Sequence, residues 1–207
     1  MAAVTLQRVL RGFVARSQTD KAMKAIKAVR AKIEAANEYA RANPNETLGA
    51  RLQAALWTLQ HGTQLTHIIR ACITLELSTR YSKICCQVMA ESTAPDVVYG
   101  LIRTLNRSPP HQKILKFALM TFRNIVKHGG NFARHVAAPP VASAVFMDLL
   151  QVYRDKPEVF HLAVRLATSL AGISDSIRRD MCTAHQAARM TGILQLLQRK
   201  TLAEMAS

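Results

Sequence analysis

Two hydrophobic patterns divide the chain, and the change between them falls near Asn43. From about residue 3 to residue 42 there is no proline, and Gly12 is the single glycine. That stretch is predicted to form one long helix, or two in near-continuity, ending before Asn43-Pro44-Asn45. On a helical wheel Leu6, Val9, Leu10, Phe13 and Val14 make one apolar stripe. Ile26, Val29 and Ile33 make a second on roughly the opposite side. Two stripes imply two partners, and the second is expected to pack on the remainder of this chain.

From Leu48 onward the pattern becomes a string of shorter helices separated by Gly, Pro or Ser/Asn. The predicted spans are 48–60, 63–77, 78–91, 95–106, 111–128, 141–154, 158–170, 174–188 and 191–206. Several of them echo one another. Residues 95–106 resemble 143–154, with a third echo at 191–198, and 114–122 parallels 160–167 in apolar spacing. A period of about 45 residues is that of armadillo or HEAT units, each of which closes its core only by stacking on a neighbour. The expected fold is therefore all-α: a long N-terminal helix over residues 1–42, then an armadillo/HEAT-like helical-repeat solenoid over 46–207. An irregular globular bundle is the alternative.

Composition agrees with this architecture. Of 207 residues, 49% are apolar, enough for a core, and only 5% are aromatic, which suits helix-on-helix packing better than a β-sandwich. The four cysteines (Cys72, Cys85, Cys86, Cys182) sit in apolar helical patterns with no secretory signal ahead of them. Reduced thiols and a cytoplasmic setting are expected. No apolar run reaches the roughly 20 residues of a membrane helix.

Charge adds a direction. The formal net charge is +15, and an acidic partner is implied: nucleic acid, an anionic membrane, microtubules or an acidic protein. Residues 1–32 hold Arg8, Arg11, Arg16, Lys21, Lys24, Lys27, Arg30 and Lys32 against Asp20 alone. The basic character thus belongs mainly to the first helix.

Within that helix, residues 6–16 read Leu-Gln-Arg-Val-Leu-Arg-Gly-Phe-Val-Ala-Arg. They fit the IQ pattern, apolar-Gln-x-x-x-Arg-Gly-x-x-x-Arg, at every defined position. Leu6, Leu10 and Phe13 suit the Met-rich groove of calmodulin or a calmodulin-like light chain. Gln7 offers an amide to the gripping lobe, and Arg11 and Arg16 reach acidic rims. Gly12 allows close backbone approach, at a helix cost of about 1 kcal/mol relative to Ala. A basic amphipathic surface helix is the plainer explanation of the same residues.

An IQ helix leading into residues 75–90 (Leu-Glu-Leu-Ser-Thr-Arg-Tyr-Ser-Lys-Ile-Cys-Cys-Gln-Val-Met-Ala) resembles the C-terminal part of the abnormal-spindle family. Residues 85–92, 101–108 and 114–128 carry the likeness, which covers about 48–155 and weakens beyond Pro157. In that family IQ repeats run into an armadillo-like domain. The resemblance implies a non-catalytic calmodulin-binding adaptor of the microtubule cytoskeleton, at spindle poles, microtubule minus ends or basal bodies. Its helical body would bind a cytoskeletal or spindle-pole protein. One IQ motif stands here instead of an array, and no calponin-homology region is present, so direct microtubule binding is not carried over. A fragment and a short family member both fit.

Other residues are expected to be structural. Seven scattered histidines include no i, i+3 or i, i+4 pair, which argues against a zinc site. No phosphate loop, nucleophile elbow or His-Glu-x-x-His occurs, so neither an enzyme nor a cofactor is expected. Trp57, Tyr81, Tyr99 and Tyr153 are expected in the core. Arg103, Arg107, Lys113, Lys116, Arg123 and Lys127 are expected on a solvated face, with a groove for an acidic peptide as the rival. A basic helical-repeat nucleic-acid binder is the competing function. It is disfavoured because the charge gathers on one helix and few exposed aromatics offer base stacking. Interfacial membrane binding by the first helix is physically open.

Overall fold

In the computed structural model, secondary structure is described for residues 2–205 and side chains for 19–202. The chain divides into two compact units, Met1–Thr47 and Leu48–Ser207. No strand occurs among the described residues.

The first unit is built on α1 (Ala2–Ala42), followed by a single 3-10 turn at Pro44–Glu46. Pro44 has no amide hydrogen to continue the helix, so the chain turns there. The turn is tied back by the Tyr39 hydroxyl, which donates to the Glu46 carboxylate at 2.7 Å. The Asn43 amide donates to the Tyr39 carbonyl at 3.1 Å. Ile26, Val29 and Ile33 of this helix are 54, 56 and 55% exposed.

The second unit comprises α2 (Leu48–His61), α3 (Leu65–Tyr81), α4 (Lys83–Glu91), α5 (Ala94–Thr104), α6 (Pro109–Lys127) and α7 (Gly130–Ala137). It continues through α8 (Ala142–Val152), α9 (Pro157–Ile173), α10 (Asp175–Met181) and α11 (Ala184–Met205). They form three successive triplets, α2-α3-α4, α5-α6-α7 and α8-α9-α10, with α11 following. The first helices stack in the order α2, α5, α8, α11, and the second helices in the order α3, α6, α9. This is the all-α helical-repeat fold that the sequence predicts.

The repeat shows in which side chains are buried. Ala94, Pro95, Val98, Tyr99 and Ile102 of α5 recur in step as Ala142, Ser143, Phe146, Met147 and Leu150 of α8. Ala71, Cys72, Leu75, Glu76, Ser78 and Thr79 of α3 recur as Ile114, Leu115, Ala118, Leu119, Thr121 and Phe122 of α6. On α9 the stripe continues as Val159, Ala163, Leu166, Ala167 and Leu170. The same helical face therefore enters the core in each triplet. At its centre Tyr99 lies against Phe122 (centroids 4.8 Å apart) and edge-on to Phe146 (6.1 Å).

Three boundaries differ from those predicted. The break expected after Leu77 lies at Ser82 instead. Ser78 and Thr79 are buried inside α3, and the Thr79 hydroxyl donates to the Leu75 carbonyl at 2.8 Å, which removes its competition with the helix backbone. Ser82 is the true N-cap, accepting from the Cys85 amide at 3.2 Å. The second difference is α7, a helix of 8 residues between Gly129-Gly130 and Pro139-Pro140 that periodicity does not reveal. Gly129 starts it with φ of 123°, a conformation that a side chain would strain. Third, the two last predicted helices divide at Cys182-Thr183; Ser174 caps the start of the short α10 by accepting from the Ile177 amide, and the Cys182 amide closes its end on the Arg178 carbonyl.

Aromatic placement also needs correcting. Tyr99 and Tyr153 are buried as predicted, but Trp57 is 64% and Tyr81 72% exposed. Trp57 stacks on His61 (centroids 4.8 Å), one helical turn along, and Arg80 lies 6.0 Å from the Tyr81 ring. Among the described residues no single helix is long and apolar enough to cross a membrane.

Candidate binding site

The predicted light-chain site falls within α1, whose helix is uninterrupted from Ala2 to Ala42. The side chains of Leu6, Gln7, Leu10, Arg11, Gly12, Phe13 and Arg16 lie outside the described residues. Backbone helicity is the condition that the IQ spacing needs to place Leu6, Leu10 and Phe13 on one face.

In the second unit, two sets of surface cations stand out. The first is tied to acids across the repeats. The Arg107 guanidinium donates to Asp155 at 2.6 Å, Lys116 to Glu158 at 2.6 Å, and Arg189 to Asp148 at 2.7 Å. Burial pulls the Asp155 carboxyl upward, but the Arg107 hydrogen bond, a backbone hydrogen bond and nearby charge outweigh it and hold the group below the ordinary carboxylate range. Glu158 is held low by the hydrogen bond and then the charge of Lys116. The Arg107–Asp155 and Lys116–Glu158 pairs are exposed, so each adds little to stability.

The second group lines the seam between α6 and α9. Toward its far end, Arg123, Val126 and Lys127 of α6 face Val164, Arg165, Leu166, Thr168, Ser169 and Ile173 of α9 around a groove of about 700 Å³. No acid lines this groove, and no carboxylate among the described residues pairs with Arg123, Lys127 or Arg165. At the other end Lys113, Lys116 and Lys156 surround a smaller hollow of about 320 Å³, where Glu158 is already held by Lys116. Of the six cations predicted on a solvated face, Arg123 and Lys127 thus share an apolar groove, while Arg107 and Lys116 are paired. Val164, Arg165 and Ser169 complete that groove and were not singled out from sequence. The signal was present in the α6/α9 echo, but it shows only when the buried faces are brought into step.

The neighbouring seam, between α3 and α6, is closed. Glu76, only 1% exposed, pairs with Arg80 at 2.6 Å on the next turn of α3. The Asn124 amide of α6 reaches the Glu76 carbonyl at 3.2 Å, its carboxylate at 3.3 Å and the Thr79 hydroxyl at 3.3 Å. A buried carboxylate is thereby provided with both charge and hydrogen bonds.

Burial holds two of the core cysteines, Cys72 and Cys86, in the thiol form. Burial pushes the Cys72 thiol up to about 12, and burial with the neighbouring Cys85 charge pushes Cys86 up to about 11. The Cys86 thiol donates to the Thr79 carbonyl at 3.0 Å. Among the described residues no group of three or more His, Cys, Asp or Glu is placed to hold a metal ion.

Fold and site together define an all-α helical-repeat protein with a long basic helix at its start and a basic, apolar-floored seam on its body. Over 154 residues, 73% of this chain, it is 33% identical to abnormal spindle-like microcephaly-associated protein homolog of Canis lupus familiaris. The Mus musculus homolog is 32% identical over 75% of the chain, and the Homo sapiens protein 31% over 74%. Across this stretch the chain is a relative of the abnormal-spindle proteins, as its residues 75–90 predict. It spans only 4–5% of the length of these relatives. No protein-family model matches the chain, and no solved structure does.

Proposed function

We propose that the protein is a non-catalytic adaptor of the spindle and microtubule cytoskeleton. In this reading α1 carries a calmodulin-class light chain at residues 6–16, and the helical body holds a cytoskeletal or spindle-pole partner. The observation that supports it best is the likeness to abnormal spindle-like proteins over three-quarters of the chain, headed by a helix that bears a full IQ pattern.

Chemistry assigns the parts. Leu6, Leu10 and Phe13 supply the apolar face that a light-chain lobe grips, and Gln7, Arg11 and Arg16 supply its polar rim. Gln-x-x-x-Arg-Gly-x-x-x-Arg in full resembles the calcium-independent class of such sites, so binding without calcium is the expectation. The body offers broad helical surfaces and seams, the usual equipment of a repeat scaffold.

Localisation tests the cytoskeletal half of the reading. A fluorescently tagged chain in dividing cells should gather at spindle poles or basal bodies in the cytoplasm. A uniform distribution through mitosis contradicts it. Nucleic-acid binding is the rival, and salt-sensitive retention of RNA or DNA that survives deletion of residues 1–42 would favour it.

A further inference from the structure

We infer that the α6–α9 groove is a docking site for an acidic polypeptide segment, one that presents a carboxylate beside an aliphatic side chain. The inference deepens the proposed function by giving the chemistry of the body's partner, and it rests on the body being a partner-binding unit.

The repeat itself carries the argument. With the buried faces of α3 and α6 in step, Glu76 corresponds to Leu119, Thr79 to Phe122 and Arg80 to Arg123. Arg80 has a carboxylate one turn behind it, whereas Arg123 has Leu119, which is fully buried and apolar. Arg123 keeps the cation of this position and lacks its internal counter-charge. Carrying the register to α9 sets Ser169 where α6 has Asn124. Asn124 spans its seam to reach α3, but Ser169 is shorter and its hydroxyl turns back to the Arg165 carbonyl at 2.9 Å. The second seam consequently stays open where the first is filled.

What remains is a groove with a cation at each wall and an apolar floor. Arg123 and Lys127 stand on α6 and Arg165 on α9, around Val126, Val164 and Ile173. Helix α6 contains no Asp or Glu, and the one acid of α9, Glu158, is engaged by Lys116. An incoming carboxylate would give Arg123 from outside the counter-charge that Glu76 gives Arg80, and an adjacent Leu, Val or Ile would cover the floor. A polypeptide fits better than nucleic acid, because the groove is lined by aliphatic side chains and offers no aromatic face for a base.

The test uses the full chain and a fluorescein-labelled peptide of glutamates interrupted by a single leucine, followed by anisotropy. Saturable binding is expected, weakened about tenfold or more by Arg123→Glu with Arg165→Glu. Ser169→Asn, which changes no charge at an exposed position, should also weaken it by adding bulk to the groove wall. Binding should be untouched by Leu6→Asp with Phe13→Asp, which separates this site from the light-chain helix. An absence of saturable binding would overturn the inference. So would binding indifferent to both groove variants, or displacement by a uridine oligonucleotide that engages the same residues more tightly than the peptide. A failed groove with normal spindle-pole localisation would leave the proposed function standing.

Discussion

The Tyr99 hydroxyl of α5 donates to the Val136 carbonyl of α7 across 2.9 Å, closing the second triplet on itself. Both groups are buried, and the bond spans two helices of one repeat while the ring of Tyr99 meets Phe122 and Phe146. In the third triplet the Ser143 hydroxyl donates to Asp180 at 3.1 Å, again joining the first helix to the short third one. In the second and third triplets the short third helix is thus anchored by a polar contact from the first helix of its own repeat. Apolar packing alone would leave its rotation weakly specified.

Tyr99→Phe should therefore destabilise the body by about 1–2 kcal/mol, since it leaves a buried carbonyl unpaired. Urea unfolding followed by circular dichroism reads this directly. An unchanged midpoint would show that the bond contributes nothing.

Asn124→Ala should also lower the urea midpoint, by about 1–3 kcal/mol. It removes the donor that serves the Glu76 carbonyl and carboxylate and the Thr79 hydroxyl together. Ser169→Ala, at the corresponding place on α9, should have little effect. The contrast between the two variants measures how differently the two seams are filled.

Alkaline pH should weaken the fold earlier than tyrosine or lysine titration alone would. Cys72 and Cys86 are raised to about 12 and about 11, mainly by burial, from an unfolded value of about 8.5. A group raised in the folded state favours folding fully below its unfolded pKa and loses that contribution as pH climbs toward the folded one. The urea midpoint should accordingly hold between about pH 7 and 8 and fall between about pH 9 and 11. Cys72→Ala should flatten the fall. Tyr99, raised by burial and then by the charge of Asp96, adds to it above about pH 10.

Trp57, the single tryptophan, should emit at a wavelength close to that of a solvated indole, because it is 64% exposed. Efficient acrylamide quenching in the native state is expected, with little further change in urea. A blue-shifted, protected emission would mean that the residue is covered in solution.

How far the sequence foretold this structure depends on what each feature rests upon. The long helices follow from periodicity, and the triplet repeat is visible as echoes among α5, α6, α8 and α9. Short α7 was hidden because 8 residues between glycines and prolines hold barely two apolar turns, and its helicity comes from tertiary contact. Trp57 was misassigned because an apolar stripe does not say whether a neighbour covers it. The α6–α9 groove was illegible for a related reason. It arises from a difference between repeats, Leu119 in place of Glu76 and Ser169 in place of Asn124, and that difference has meaning only once the helices are stacked.

The central claim is that residues 6–16 dock a calmodulin-class light chain, and a calorimetric titration of the full chain with calmodulin, run with calcium and with chelator, tests it most directly. The account predicts binding at a single site in both conditions, abolished by Leu6→Asp with Phe13→Asp while the circular dichroism of the body is preserved. No heat of binding in either condition, or binding that the double variant leaves unchanged, would contradict it.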